Sequence, residues 1–302
     1  MLLITIWPIF ALICLGFVLA RSSFPSAEFW PAAERINYFL LFPALLVSSL
    51  ARAPLQDPTV LRLGAAAVAT ILAAALALAL FRRLRPMPAA RFGPVLQGVV
   101  RFNTYLVLSI VAILAGTEGL ERAAVILAVA VPLVNVLSIF ALTEGAGGGT
   151  PRVLLRAILR NPLILACVAG FALALSGIGL PLGTGDFLRL LGQGSLPLGL
   201  LCVGAALKPM SLHRDMAALT GACLVRLLAM PLLAALAGAG FGLSGVEALV
   251  LVVFSAVPTA PTAYVLTRQL NGDGNFMAGI VTSQTLASVL TIPLVLMLLD
   301  PR

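Results

Sequence analysis

Two short stretches of this chain place polar side chains and helix breakers inside otherwise apolar surroundings. The first reads Gln97-Gly-Val-Val-Arg101-Phe-Asn103-Thr104-Tyr105, and the second reads Ser255-Ala-Val-Pro258-Thr259-Ala-Pro261-Thr262-Ala-Tyr264. Pro258 and Pro261 each remove a helix hydrogen bond, and carbonyls freed in an apolar medium persist only where protein or a watery cavity satisfies them. The spacing therefore predicts an interrupted helix with a cavity beside it. The half-helix N-terminus at such a break carries partial positive charge and free N–H groups, which suit a carboxylate, and Thr259 and Thr262 add hydroxyl donors. The alternative is a proline kink capped by threonine; the related polar patch around Asn103 favours a binding site.

Two arginines, Arg101 and Arg226, fall within apolar runs that carry no deep Asp or Glu to pair with them. Buried cations of this kind await an anion. For Arg226 the alternative is that its long stem carries the charge back to the headgroups; Arg101, two residues from Asn103, is read as functional. Asn135 and Gln284 either bond into the same cavity or join neighbouring helices, and Asn135 is read as functional. The expected substrate-binding set is thus Arg101, Asn103, Thr104, Tyr105, Asn135, Pro258, Thr259, Pro261 and Thr262, with Arg226 and Gln284 along an anion path. No catalytic or metal set is expected. Cys14, Cys167, Cys202 and Cys223 show no CxxC pairing and read as small buried hydrophobes, and His213 sits in a polar loop beside Arg214 and Asp215. Trp7, Trp30 and Tyr38, near span ends, read as interfacial anchors.

The elements that must position these groups are helices in lipid. Of 302 residues, 61% are hydrophobic and 10% charged, with a mean hydropathy of +1.11. That leaves too few polar groups to cover a water-soluble globule. Apolar runs of about twenty residues cross ~30 Å of hydrocarbon as helices. Ten such runs are expected, at roughly 2–20, 31–50, 61–81, 94–115, 122–142, 161–178, 187–207, 216–241, 246–268 and 276–299. The first lacks the basic start of a secretory signal and has a counterpart later in the chain, so it is read as retained.

That counterpart is one sign of an internal repeat. Trp7-Pro8-Ile-Phe-Ala-Leu-Ile-Cys-Leu-Gly16-Phe17 returns as Asn161-Pro162-Leu-Ile-Leu-Ala-Cys-Val-Ala-Gly170-Phe171, and Pro43 is matched by Pro197, all 154 residues on. Asn103 corresponds to Pro258 at nearly the same offset. The fold class expected is all-α and polytopic, with ten transmembrane helices as two five-helix repeats, over 1–142 and 161–302. A Gly-rich cytoplasmic linker, 143–160, joins them. An odd number of crossings per repeat inverts one relative to the other, a signature of secondary transporters. Twelve of the nineteen Lys and Arg residues fall in odd-numbered connections, against five on the other face. The positive-inside rule then puts both termini outside. The basic run from Arg82 to Arg91 reads as a topology anchor rather than a nucleic-acid site.

Several of these segments resemble bacterial members of the auxin efflux carrier family. They are Arg101-Phe-Asn-Thr-Tyr105 before Gly116, Pro132-Leu-Val-Asn135-Val-Leu-Ser138, Arg160-Asn-Pro162 and Val257-Pro258-Thr-Ala-Pro261. The resemblance implies inverted five-helix repeats with broken crossover helices 4 and 9, a scaffold part, a moving transport part, and relatedness to bile acid sodium symporters. It also implies a small carboxylate cargo, since plant relatives export indole acetate and bacterial relatives are assigned to malate or malonate. One departure is that 102–115 holds no proline, where many relatives break helix 4 with one.

The expected function is a secondary active or potential-driven carrier in the cytoplasmic membrane. It would move a small organic anion by alternating access, with export favoured over import, no cofactor, and the bilayer and cargo as partners. A homodimer is one open assembly. The alternatives are a sodium-coupled symporter, or a channel or sensor built on the same helices. An intramembrane enzyme would need paired aspartates, a serine with a His or Lys partner, or a metal cluster in the spans, which the sequence does not offer.

Overall fold

A computed structural model describes residues 2–51, 57–143, 161–213 and 215–299. Among them every regular element is a helix. In chain order these are α1 (Leu2–Arg21), α2 (Phe29–Ile36), a π turn (Asn37–Leu41), α3 (Phe42–Leu50), α4 (Pro58–Leu84), α5 (Ala89–Val100) and α6 (Thr104–Thr143). The later helices are α7 (Pro162–Ser176), α8 (Thr184–Ala205), a 3-10 turn (Pro209–His213), α9 (Met216–Leu224), a second π turn (Val225–Ala229) and α10 (Met230–Gly240). The last three are α11 (Gly245–Ala256), α12 (Thr262–Gln269) and α13 (Gly274–Leu299). The linker expected over 143–160 lies almost wholly outside the described residues.

Six helical runs are long and apolar enough to cross a membrane: Ile4–Arg21, Pro58–Leu84, Ala89–Thr143, Thr184–Ala205, Met216–Gly240 and Gly274–Leu299. Pro162–Ser176 and Gly245–Ala256 are apolar but shorter. Large apolar side chains face outward all round the bundle, among them Leu61, Leu76, Leu190, Leu236, Leu290 and Leu298. So large an exposed apolar surface suits lipid, not water. Cys14, expected to be buried, is on this outer surface, while Cys167 and Cys202 are interior.

Capping sets where several helices start. Asp57 accepts the N–H of Thr59 at 2.9 Å before Pro58 opens α4, and this bond holds the Asp57 carboxyl below the usual carboxylate range. Asn161 accepts from Leu163 and Ile164 before Pro162 opens α7. The long α6 turns sharply at Gly116, whose φ of 57° and ψ of −144° suit only a residue without a Cβ.

The helices pack as two groups. One contains α1, α3, α7 and α8, with α1 and α8 in closest approach where a Cβ on Gly16 or Gly204 would strike the other helix's backbone. The other contains α4, α5, the later part of α6 and α9 to α13. Two ion-pair clusters mark opposite faces of the second group. Arg91 bridges Asp215 at 2.6 Å and Asp273 at 2.9 Å, where α5, α9 and α13 begin. Arg122 meets Glu247 at 2.7 Å beside Asp57, where α4 and α11 begin.

Candidate functional site

The polar patch and the proline pair both prove to be breaks, and the two have the same backbone. After α5, Arg101 is extended at φ −79° and ψ 152°; after α11, Val257 is extended at φ −77° and ψ 153°. The extended segments so formed touch, with the N–H of Asn103 donating to the Pro258 carbonyl at 2.8 Å. Proline explains the second break. In the first, where the chain has none, Asn103 restarts the helix by capping it, its Oδ1 accepting from Tyr105 N at 3.1 Å and Leu106 N at 3.3 Å.

Backbone groups freed at the breaks are met by side chains from elsewhere. Gln284 accepts the Thr259 N–H at 2.9 Å, and its Nε2 donates to Gly98 O at 2.9 Å and Ala222 O at 3.2 Å. The Thr259 hydroxyl donates to Gln97 O at 3.1 Å. Arg226 projects from the second π turn and donates through Nε to Val257 O at 2.7 Å, through Nη1 to Val99 O at 2.8 Å and through Nη2 to Phe254 O at 2.8 Å. It is 1% exposed. Arg226 therefore does not reach back to a headgroup, and the cavity it borders is a small one of about 20 Å³ shared with Thr70 and Ser255. The C-terminal ends of two half-helices concentrate partial negative charge at its position, and that field holds the guanidinium inward.

In front of the crossing lies a cavity of about 120 Å³, room for about ten water-sized groups at ~10–15 Å³ each. Of the expected residues it is lined by Arg101, Asn103, Thr104, Tyr105, Asn135, Pro261 and Thr262. Pro258, Thr259, Arg226 and Gln284 stand behind it, in the wiring just described. The N-terminal turns of α6 and α12, at Thr104 and Thr262, meet at this cavity. The N–H groups of Tyr105 and Leu106 are taken by Asn103 and those of Ala263 and Tyr264 by Ala260 O and Pro261 O, so what the two ends bring is the positive pole of each helix dipole. Asn103 is 1% exposed, and its Nδ2 has no hydrogen-bond partner. Arg101 is half-buried and donates one bond, from Nη1 to Gln97 Oε1 at 3.3 Å, out of a guanidinium with five donors. Gln97 in turn donates to Thr267 Oγ1 at 2.9 Å, which holds the acceptor of that bond in place. The arrangement can hold a small anion by one cation, a carboxamide donor and two helix N-termini.

Sequence reasoning missed Glu34, Tyr38, Asn161 and Cys202 in the lining. Glu34, Tyr38 and Phe42 follow one another at intervals of four, a helical face that could have been read from the chain. Tyr38, expected as an interfacial anchor, lines this cavity. Asn37 is itself buried and tied to α8, donating to Ser195 O at 3.0 Å and accepting from Ser195 Oγ at 2.8 Å.

A second cavity, of about 530 Å³, lies nearer the Arg122 face and is lined from α1, α3, α6 and α8 by Pro8, Leu45, Ser109, Thr117, Gln193 and Leu200 among others. Both cavities run between the two helix groups, on either side of a thin septum. Tyr105 lines the first and Ser109 the second, which is ~6 Å along the helix at ~1.5 Å per residue. Phe42 and Tyr105 fill the septum edge to face, their ring centroids 5.4 Å apart.

Residues 150–296 match a family model described as membrane transport protein. The match takes in the second break, at Pro258 and Pro261, and stops short of the first. No curated protein matches the chain.

Proposed function

We propose that the chain is a secondary carrier for a small organic anion, built of ten spans as two inverted five-helix repeats. The auxin efflux carrier resemblance and the family match over the second half support a transporter. The matching backbone at Arg101 and Val257 supports extending that reading to the first half. One observation carries the proposal: two interrupted helices bonded to each other, Asn103 N–H to Pro258 O, with Arg101 and the unpartnered Asn103 Nδ2 at the cavity before them.

Carboxylates are the substrate class that this chemistry suits, with malate, malonate or an aryl acetate as candidates. The two cavities, separated by the Phe42–Tyr105 septum, support alternating access: sliding one helix group past the other would close one and open the other. With the basic connections inside, the Asn103 cavity belongs to the cytoplasmic half and the larger one to the outer half. Export fits this polarity, because an inside-negative potential drives an anion outward with about 2.3 kcal/mol per charge per 100 mV.

Counterflow in proteoliposomes tests the reading. Labelled dicarboxylate or aryl acetate should accumulate against unlabelled acid inside, saturably, and Asn103→Ala or Pro258→Ala should abolish it while leaving folded protein. Unchanged transport by both variants would reject the site, and conductance events far faster than carrier turnover would make the protein a channel.

A further inference from the structure

Half-helix C-terminal ends and unwound carbonyls are where transporters of this general design coordinate a coupling cation. In this chain six of the carbonyls at the crossing accept from donors of the protein. Gln97 O accepts from Thr259 Oγ1, Gly98 O from Gln284 Nε2, and Pro258 O from Asn103 N–H. Val99 O, Phe254 O and Val257 O, the three that converge from both half-helices, accept from the one Arg226 guanidinium. No carboxylate among the described residues forms an ion pair with Arg226; the ends of α5 and α11 and their carbonyls balance its charge. A cavity of about 20 Å³ beside it, lined by Thr70 and Ser255 among others, has room for one or two waters at ~10–15 Å³ each.

We infer that Arg226 is a tethered cation standing where a dissociable coupling ion would bind, so that the crossover is held together without sodium. The functional half of this inference, sodium-independent transport, rests on the carrier reading above; the structural half does not. A bound sodium ion leaves and returns in each cycle and couples its gradient to the cargo. A guanidinium fixed to the π turn cannot leave, so it stabilises the crossing in every state and contributes no gradient. The driving force is then the gradient and charge of the cargo itself.

The experiment uses the purified full chain in lipid nanodiscs, with melting temperature as the readout. For the wild type, replacing N-methylglucamine chloride by sodium chloride should shift the melting point by less than about 1 °C. A sodium-specific rise of several degrees overturns the inference. Arg226→Ala opens the carbonyl cluster, and millimolar guanidinium or sodium should then raise the melting point of the variant by about 3 °C or more while leaving the wild type unmoved. Failure of both cations to do so also overturns it. Should the alanine variant not fold, Arg226→Lys serves instead: an ammonium on an unforked stem does not reproduce the planar fork that meets the three carbonyls through Nε, Nη1 and Nη2, so a wild-type melting point in that variant counts against the inference. Transport separates the two readings. Anions carried only with sodium would sink the tethered cation and keep the carrier, whereas sodium-blind stability with no anion bound or carried would do the reverse.

Discussion

Arg101 and Arg226 are both arginines inside apolar helical runs, and the fold uses them in opposite ways. Arg226 is sealed, with three bonds to backbone carbonyls drawn from α5 and α11. Arg101 is half-buried, makes one longer bond to a side chain, and borders a cavity. The difference is electrostatic. Arg226 sits where two helices end and carbonyls point, so its charge is satisfied by the protein; Arg101 caps the end of α5 with its backbone, yet its side chain donates only to Gln97 Oε1 and borders the cavity where α6 and α12 begin. A cation among helix N-termini is left for an anion from outside.

Four outcomes would sharpen or break that contrast. The largest concerns stability: Arg226→Ala leaves three carbonyls unpaired in a dry interior and should cost about 3–5 kcal/mol, read as a collapse of the melting point. Arg101→Ala should change it little, and equal losses would erase the distinction. Next, Arg101→Gln should weaken anion binding at least about tenfold, ~1.4 kcal/mol, in isothermal titration. Arg226→Gln, scored per folded molecule, should weaken it less, and the reverse ranking would mean the wrong cation has been placed at the anion.

The third outcome separates two jobs of one residue. Asn103→Asp keeps the capping oxygen but removes Nδ2, so the melting point should hold while binding falls by about tenfold; Asn103→Ala should lose both, with ~1 kcal/mol of stability gone. If Asn103→Asp binds normally, the carboxamide only caps. The smallest effect is expected at Asn135→Ala, a loss of about 1 kcal/mol in binding from one neutral hydrogen bond, and no change there would leave Asn135 as mere lining.

Much of the crossing was legible beforehand because its signals are local. Pro258 and Pro261 cannot continue a helix whatever surrounds them, and Asn103 two residues after Arg101 is a polar intrusion visible in the chain alone. The partners were not legible. Gln284 meets Gly98 across 186 positions and Arg226 meets Val99 across 127, and no periodicity links residues that far apart. Thr259 was expected to offer its hydroxyl to a ligand, yet it faces Gln97 O. A threonine after a proline break can point either way until its neighbour is placed. Tyr38, expected as an interfacial anchor, lines a cavity that forms only once α6, α7 and α8 close around it.

Local chemistry therefore determined that this chain lives in lipid, where its helices run, and that two of them are interrupted: hydropathy, proline and capping act within a few residues of themselves. Which freed carbonyls are closed by Arg226 and Gln284, which donors still face a cavity, and which of two buried cations is left for an anion were decided only when the helices packed. Hydrogen bonds and charge pairs form in space, and in an apolar interior each polar group must take the partner that the packing brings within reach.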